Sequence, residues 1–217
     1  MSLKSRGEWN LPKKKKINDI LEYILKSREI KNSEHFLSPS LDDIPDSSSL
    51  FDSMSAAKLI IESVNKGKKI VIHGDFDSDG IWATSLLWDF LYRELSEFLE
   101  KKVDVIPYIP NRIEQGYGLT EDSLKDVLEL GGELLISVDC GVRDEKLIAK
   151  YQKKNLSVII TDHHQPPEDL SLELSYPLVH QMYPNHEYPF TPVSYTHLRA
   201  HETVLELVCR LLLEKKK

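Results

Sequence analysis

Three short clusters hold the side chains most capable of chemistry. The first, His73-Gly74-Asp75-Phe76-Asp77-Ser78-Asp79-Gly80, packs three carboxylates into five residues. Like charges at that spacing repel unless a cation sits among them. The second is a single acid, Asp139, at the end of the apolar run Leu134 to Val138. The third is Asp162-His163-His164, which follows the apolar Val158, Ile159 and Ile160. Imidazoles beside carboxylates suit Mn²⁺, or a comparable first-row ion, better than Ca²⁺. The Asp-x-Asp-x-Asp-Gly order also fits the start of a calcium loop, but such a loop needs a Glu where this chain has Leu86. For the first cluster alone, an acidic helix N-terminus, where the helix dipole welcomes Asp, is the competing reading. Two cations held about 3.5–4 Å apart by groups of this kind can activate water and stabilise phosphoryl oxygens, which makes phosphoester hydrolysis the expected reaction class. The chain has no G-x-x-x-x-G-K-[ST] loop and no G-x-S-x-G elbow, against a nucleoside-triphosphate motor and a serine hydrolase.

The elements that must bring these clusters together alternate along the chain. Short apolar runs at Lys69 to His73, Val103 to Ile109, Leu134 to Val138, Ser157 to Thr161 and Leu178 to Gln181 read as strands. Helical patterns lie between them at Ser55 to Lys66, Ile81 to Leu99, Thr120 to Leu130 and Asp144 to Lys154. Gly67 and the pair Gly131-Gly132 are natural helix stops, and Thr120 is a natural start. Near-continuous apolar strands separated by helices predict an α/β fold, a parallel sheet flanked by helices on both faces. Ligands of such sheets bind at the carboxyl ends of the strands, and all three clusters fall at those ends. Upstream, Ile17, Ile20, Leu21, Ile24 and Leu25 predict one short amphipathic helix, and Ser38 to Ser53 has linker composition. The division expected is residues 1–52 as N-terminal helix and linker, 53–192 as an incomplete catalytic domain, and 193–217 as a non-native tail.

Composition bounds the rest. The chain has 217 residues, 41% hydrophobic and 29% charged, enough to bury a core. No run has the length and apolarity of a membrane span and the start lacks a secretory core, so the expectation is a cytoplasmic protein with no membrane partner. Two distant cysteines, Cys140 and Cys209, imply neither a disulfide framework nor a Cys-type zinc site. A formal charge of −7 argues against a surface that coats nucleic acid, although part of the acidic excess lies in the clusters that cations would neutralise. The basic run Lys13 to Lys16 either touches phosphate or is a solvated flank.

The motifs also resemble a known family. Gly74-Asp75-Phe76-Asp77-Ser78-Asp79-Gly80, Val138-Asp139-Cys140-Gly141 and Thr161-Asp162-His163-His164-Gln165-Pro166-Pro167 are similar, in order and spacing, to the first three motifs of DHH phosphoesterases. Tyr108-Ile109-Pro110-Asn111-Arg112, Gly116-Tyr117-Gly118-Leu119 and the stretch from Tyr183-Pro184-Asn185 to Tyr188-Pro189-Phe190 resemble the RecJ-like branch. The resemblance implies a hydrolase with an αβα core that uses two Mn²⁺ or Mg²⁺ ions to degrade single-stranded DNA from the 5′ end, in DNA repair and recombination. It implies that Asp77, Asp79, Asp139 and His163 are metal ligands, with Asp75 and His164 in or beside the shell. His73 stands where a related pyrophosphatase branch has a ligand. Arg112 is either a contact for a substrate phosphate or an exposed loop arginine. A phosphodiesterase acting on short oligoribonucleotides or cyclic dinucleotides, and a non-catalytic replication scaffold, are the alternatives. Protein partners are not legible.

After Phe190 the chain departs from that pattern, with no Gly-rich helix and no fourth aspartate motif. The stretch Val193 to Thr203 and the closing Leu207 to Lys217 resemble translated sequencing-adaptor tails, which predicts a truncated chain that binds metal incompletely and cleaves poorly or not at all. An amphipathic helix with Leu205, Val208 and Leu212 as its stripe is the rival reading.

Overall fold

Ile70–His73 (β1), Val105–Tyr108 (β2), Leu134–Val138 (β3), Ser157–Thr161 (β4) and Leu178–Val179 (β5) form a sheet in the order β2-β1-β3-β4-β5. Every pairing is parallel. This is a computed structural model, and it describes residues 20–38, 45–171, 173–183, 186 and 188. The expectations for Lys13 to Lys16, Ile17 and the tail from Val193 lie outside the described residues. So do Pro184-Asn185 and Pro189-Phe190.

The apolar runs form strands because both of their faces are covered. β1 and β3 are buried at every position. Ile70, Ile72, Leu134, Ile136 and Ile159 pack into one cluster with the helices Ser53–Asn65 (α3) and Ser78–Asp89 (α4). Val71, Leu135, Val158 and Ile160 point the other way, into a second cluster with Glu121–Glu129 (α6) and Glu145–Gln152 (α7). Pro107 sits in β2, an edge strand, where its missing N–H costs no sheet bond. Strand order reverses between β1 and β3, so their carboxyl ends flank the crevice where ligands of open sheets bind.

Several boundaries differ from the sequence expectation for identifiable reasons. The helix expected from Ile81 starts at Ser78, because the Asp77 carboxylate accepts the N–H groups of Asp79 and Gly80 and caps it. It then passes through a π-helical turn, Phe90–Glu94, into Leu95–Phe98 (α5). Thr120 caps α6 as expected, through a reciprocal pair of bonds with Ser123. Within the stretch of linker composition, the described residues from Pro45 on are part of the fold. Ser47–Ser49 form a 3₁₀ turn, Leu50 joins the core, and Asp52 accepts the N–H of Leu178 at 3.0 Å.

The chain divides into two units, Met1–Ile44 and Pro45–Lys217. Within the first, Ile20–Ser27 (α1) and Ser33–Leu37 (α2) are short helices, and the Lys26 ammonium lies 2.6 Å from the Glu22 carboxylate one turn away.

Candidate metal centre

The end of β1 carries the first acids. Asp75 is 1% exposed, and its Oδ1 accepts the Phe76 N–H at 2.7 Å. Gly80, in the first turn of α4, passes so close that a Cβ there would lie 2.6 Å from the Asp75 nitrogen. Only glycine allows that approach, which lets the Asp77 cap and Asp75 share one small loop. Burial pushes the Asp75 carboxyl above the usual carboxylate range, the Phe76 N–H opposes this, and Asp77 and Asp139 push it up further. Such a group gains from a nearby cation.

Asp139 ends β3 with φ of +64°, in the left-handed region that few side chains other than Asn and Asp tolerate. Its N–H is held by the Thr161 carbonyl at 2.9 Å. The side chain is 1% exposed, and neither carboxylate oxygen has a hydrogen-bond partner. His163 Nε2 stands 3.0 Å from Asp139 Oδ1 without the alignment of a hydrogen bond. A buried carboxylate left in this state costs free energy, and a cation would remove the cost.

After β4, Asp162 is fully engaged. Its Oδ1 accepts the N–H groups of His163 (2.7 Å) and His164 (3.0 Å) and lies 2.8 Å from His164 Nδ1, while its Oδ2 accepts the Val142 N–H at 2.9 Å. Burial alone would raise the Asp162 carboxyl, but the His164 ring and these N–H groups hold it below the usual range. In return the bond to Asp162 raises the His164 imidazole. Asp162 therefore fixes the orientation of the His164 ring through Nδ1.

These residues fall into two overlapping groups, Asp75 with Asp77 and Asp139, and Asp139 with Asp162, His163 and His164. Within each, one ligand atom per residue lies within 4.8 Å of the others. Asp139 belongs to both, as a bridging ligand of two ions would. The unpaired Asp139 oxygens and the mixed carboxylate and imidazole donors fit first-row divalent cations.

Of the residues singled out in the sequence, Asp75, Asp77, Asp139, His163 and His164 are brought together. Asp79 lies exposed in the first turn of α4, outside both groups. His73 is fully buried behind the site, with Nε2 unpaired and Nδ1 3.8 Å from Cys140 Sγ, and burial pulls its ring down to about 4. Arg112 is exposed, its guanidinium 5.0 Å above the Phe76 ring. Phe76 meets Tyr117 edge-on at 6.3 Å, and the Tyr117 hydroxyl is 3.0 and 3.1 Å from the two His164 ring nitrogens. Loop 109–118 is thus a wall of the site. A recess of about 470 Å³ opens beside it, lined by Tyr117, Gly141, Arg143, Asp144 and His164 among others. Sequence reasoning put Asp162 in the third cluster but gave it no role at the site, and it missed Tyr117 as the wall. An Asp immediately before a His pair, able to accept the N–H groups one and two residues on, was the available signal for the first.

Comparison with known proteins finds relatives of the same family and fold. The profile of the DHH family, N-terminal domain, matches residues 69–206. The single-stranded-DNA-specific exonuclease RecJ of Haemophilus influenzae is 35% identical over 151 residues, covering 70% of this chain and 25% of that protein. RecJ of Bacillus subtilis is 37% identical over 137 residues, covering 62% of this chain and 16% of that protein. The chain therefore spans a quarter or less of the length of these curated relatives. A crystal structure of exonuclease RecJ bound to manganese superposes with a TM-score of 0.59 at 30% identity, covering 75% of this chain and 38% of that one. Thermus thermophilus RecJ in complex with Mn²⁺ gives 0.61 at 25% identity, covering 88% and 25%.

Proposed function

The chain belongs to the DHH family, and from that premise we propose that its paired acidic and imidazole groups serve Mn²⁺- or Mg²⁺-dependent hydrolysis of phosphodiesters in single-stranded DNA. The observation that carries the reading is Asp139, buried, without a hydrogen bond on either oxygen and common to both ligand groups. The relatives named above are RecJ exonucleases, two of them known with manganese, which supports this substrate over a small oligonucleotide or a cyclic dinucleotide. Intact ligand groups also weigh against a non-catalytic scaffold. The 5′-to-3′ polarity, the role in repair and recombination, and a cytoplasmic setting are part of the same proposal. No described helix is long and apolar enough to cross a membrane. We assign the catalytic domain to residues 53–192.

Asp75, Asp77 and Asp139 would hold one cation, and Asp139, His163 and His164 the other. Asp79, exposed in the first turn of α4, lies outside both groups. When bound, the ions supply Lewis acidity and a water of lowered pKa. The protein's own groups do the rest. Asp162 holds the His164 ring through Nδ1, the Asp77 cap holds the first acidic loop on the start of α4, and Asp139 is poised by its left-handed backbone. Arg112, held over Phe76, would meet a phosphate of the strand, and Tyr117 would close the side of the site next to His164.

The test is release of mononucleotides from 5′-phosphorylated single-stranded DNA by the purified chain with Mn²⁺, read beside Asp139→Asn. Manganese-dependent release that vanishes in Asp139→Asn is the expected result. Equal release by both proteins would sink the assignment. Preference for dinucleotides over long strands would bring the small-substrate reading forward.

A further inference from the structure

The turn that carries the histidine pair is also held from behind, by residues that belong to none of the recognised motifs. His180 follows β5 directly and is 1% exposed. Its Nε2 lies 2.8 Å from the His164 carbonyl oxygen, and its Nδ1 accepts the Met182 N–H at 3.0 Å. A carbonyl can only accept and an amide N–H can only donate, so the proton of the neutral ring sits on Nε2. Both nitrogens are then satisfied and the ring has one orientation. The next carbonyl along, that of Gln165, accepts from Nε and Nη2 of Arg143 at 3.1 and 3.0 Å. From the front, Asp162 takes the His164 N–H and its Nδ1. His164 is thereby fixed at its amide nitrogen, its ring and its carbonyl.

We propose that His180 is a positioning residue of the metal centre, setting the placement of the His164 imidazole by donating from Nε2 to the His164 carbonyl. The inference rests on the reading of this site as a metal centre. The Asp162 bonds hold the front of the turn, but the peptide plane after His164 is free to rotate unless its oxygen is tied. Rotation there carries the His164 Cα, and with it the ring, away from the second ligand group. The two-residue strand β5 has a function in this view. By pairing with Ile160 and Thr161 it delivers His180 to the level of the turn.

Three forms of the full chain decide the matter: the parent, His180→Leu, which removes the donor at similar volume, and His180→Gln, whose side-chain amide reaches as far as Nε2. Mn²⁺ affinity, read from the electron paramagnetic resonance of the free ion, is expected to fall about 10–100-fold in His180→Leu, the usual cost of losing a partner behind a ligand, and to return in His180→Gln. Equal affinity of parent and His180→Leu, or equal loss in both variants, overturns the proposal. Proton–nitrogen NMR of the imidazole rings gives a second readout that needs neither metal nor mutation. The parent's His180 should be protonated on Nε2 alone, and a ring protonated on Nδ1 overturns the proposal outright. If the parent binds no Mn²⁺, the metal reading fails by itself. The His164 ring signals then decide the positioning role, displaced in His180→Leu and restored in His180→Gln if it holds, unmoved if it does not.

Discussion

A carboxylate that is 1% exposed with no hydrogen bond on either oxygen, like that of Asp139, destabilises the chain that carries it until a cation arrives. Asp139→Asn keeps the shape and suits the left-handed backbone, since Asn visits that region nearly as readily as Asp. The variant should melt at a higher temperature than the parent without metal, because the amide removes the buried charge although it remains a buried polar group. It should also lose the rise in melting temperature that Mn²⁺ gives the parent. A scan with and without Mn²⁺ checks both halves, and a metal-free variant that melts lower would mean that Asp139 carries no such strain. Asp77 and Asp79 offer a second comparison at this scale. Asp77 lies in a ligand group and Asp79 does not, so Asp77→Asn should weaken Mn²⁺ binding more than Asp79→Asn. Equal weakening in a titration would favour the ligand set implied by motif resemblance, which holds both residues, over the one read from distances.

At the scale of elements, the first acidic loop depends on how closely α4 starts behind β1. Gly80→Ala would drive a methyl group to 2.6 Å from the Asp75 nitrogen, a backbone atom that cannot swing aside. The expected loss of stability is about 1–3 kcal/mol, as for other overpacked positions, measured by urea melts. Mn²⁺ binding should fall with it because Asp75 moves. Loop 109–118 is pinned differently. Tyr108 donates its hydroxyl proton to Asp126, and Gln115 donates to both. Burial, then the bond to Asp126, raise the Tyr108 phenol from 10.0 to about 12. The folded pKa exceeds the unfolded one, so this contribution is complete below pH 10.0 and is lost as pH rises through about 12. Tyr108→Phe should flatten that part of the stability profile and loosen the loop that carries Arg112 and Tyr117. An alkaline fall of the same size in both proteins would place its origin elsewhere.

At the scale of the whole molecule, binding of cations to the folded chain alone must stabilise it by mass action. Mn²⁺ at about 100 times its dissociation constant should add about 2.7 kcal/mol for one site, and chelation should remove it. A chain begun at Pro45, the start of the second unit, should show the same rise, since every ligand group lies beyond that point. A lost response would tie the first unit to the metal centre. Much of this was legible without coordinates. Leu134–Val138 and Ser157–Thr161 coincide with the runs read as strands, because a strand covered on both faces must be apolar throughout. The three clusters could be placed at strand ends for the same reason. Helix starts were less legible, as at Ser78, because a cap is a side-chain bond rather than a hydropathy pattern. The sequence by itself determined the parallel α/β class, the donor types and the family, since each follows from local pattern and spacing. Only the tertiary structure decided that β1 and β3 are neighbours across the switch point, so that Asp139 joins both groups while Asp79 stays outside them. Strand order is set by packing between residues far apart in the chain, and no local pattern of residues encodes it.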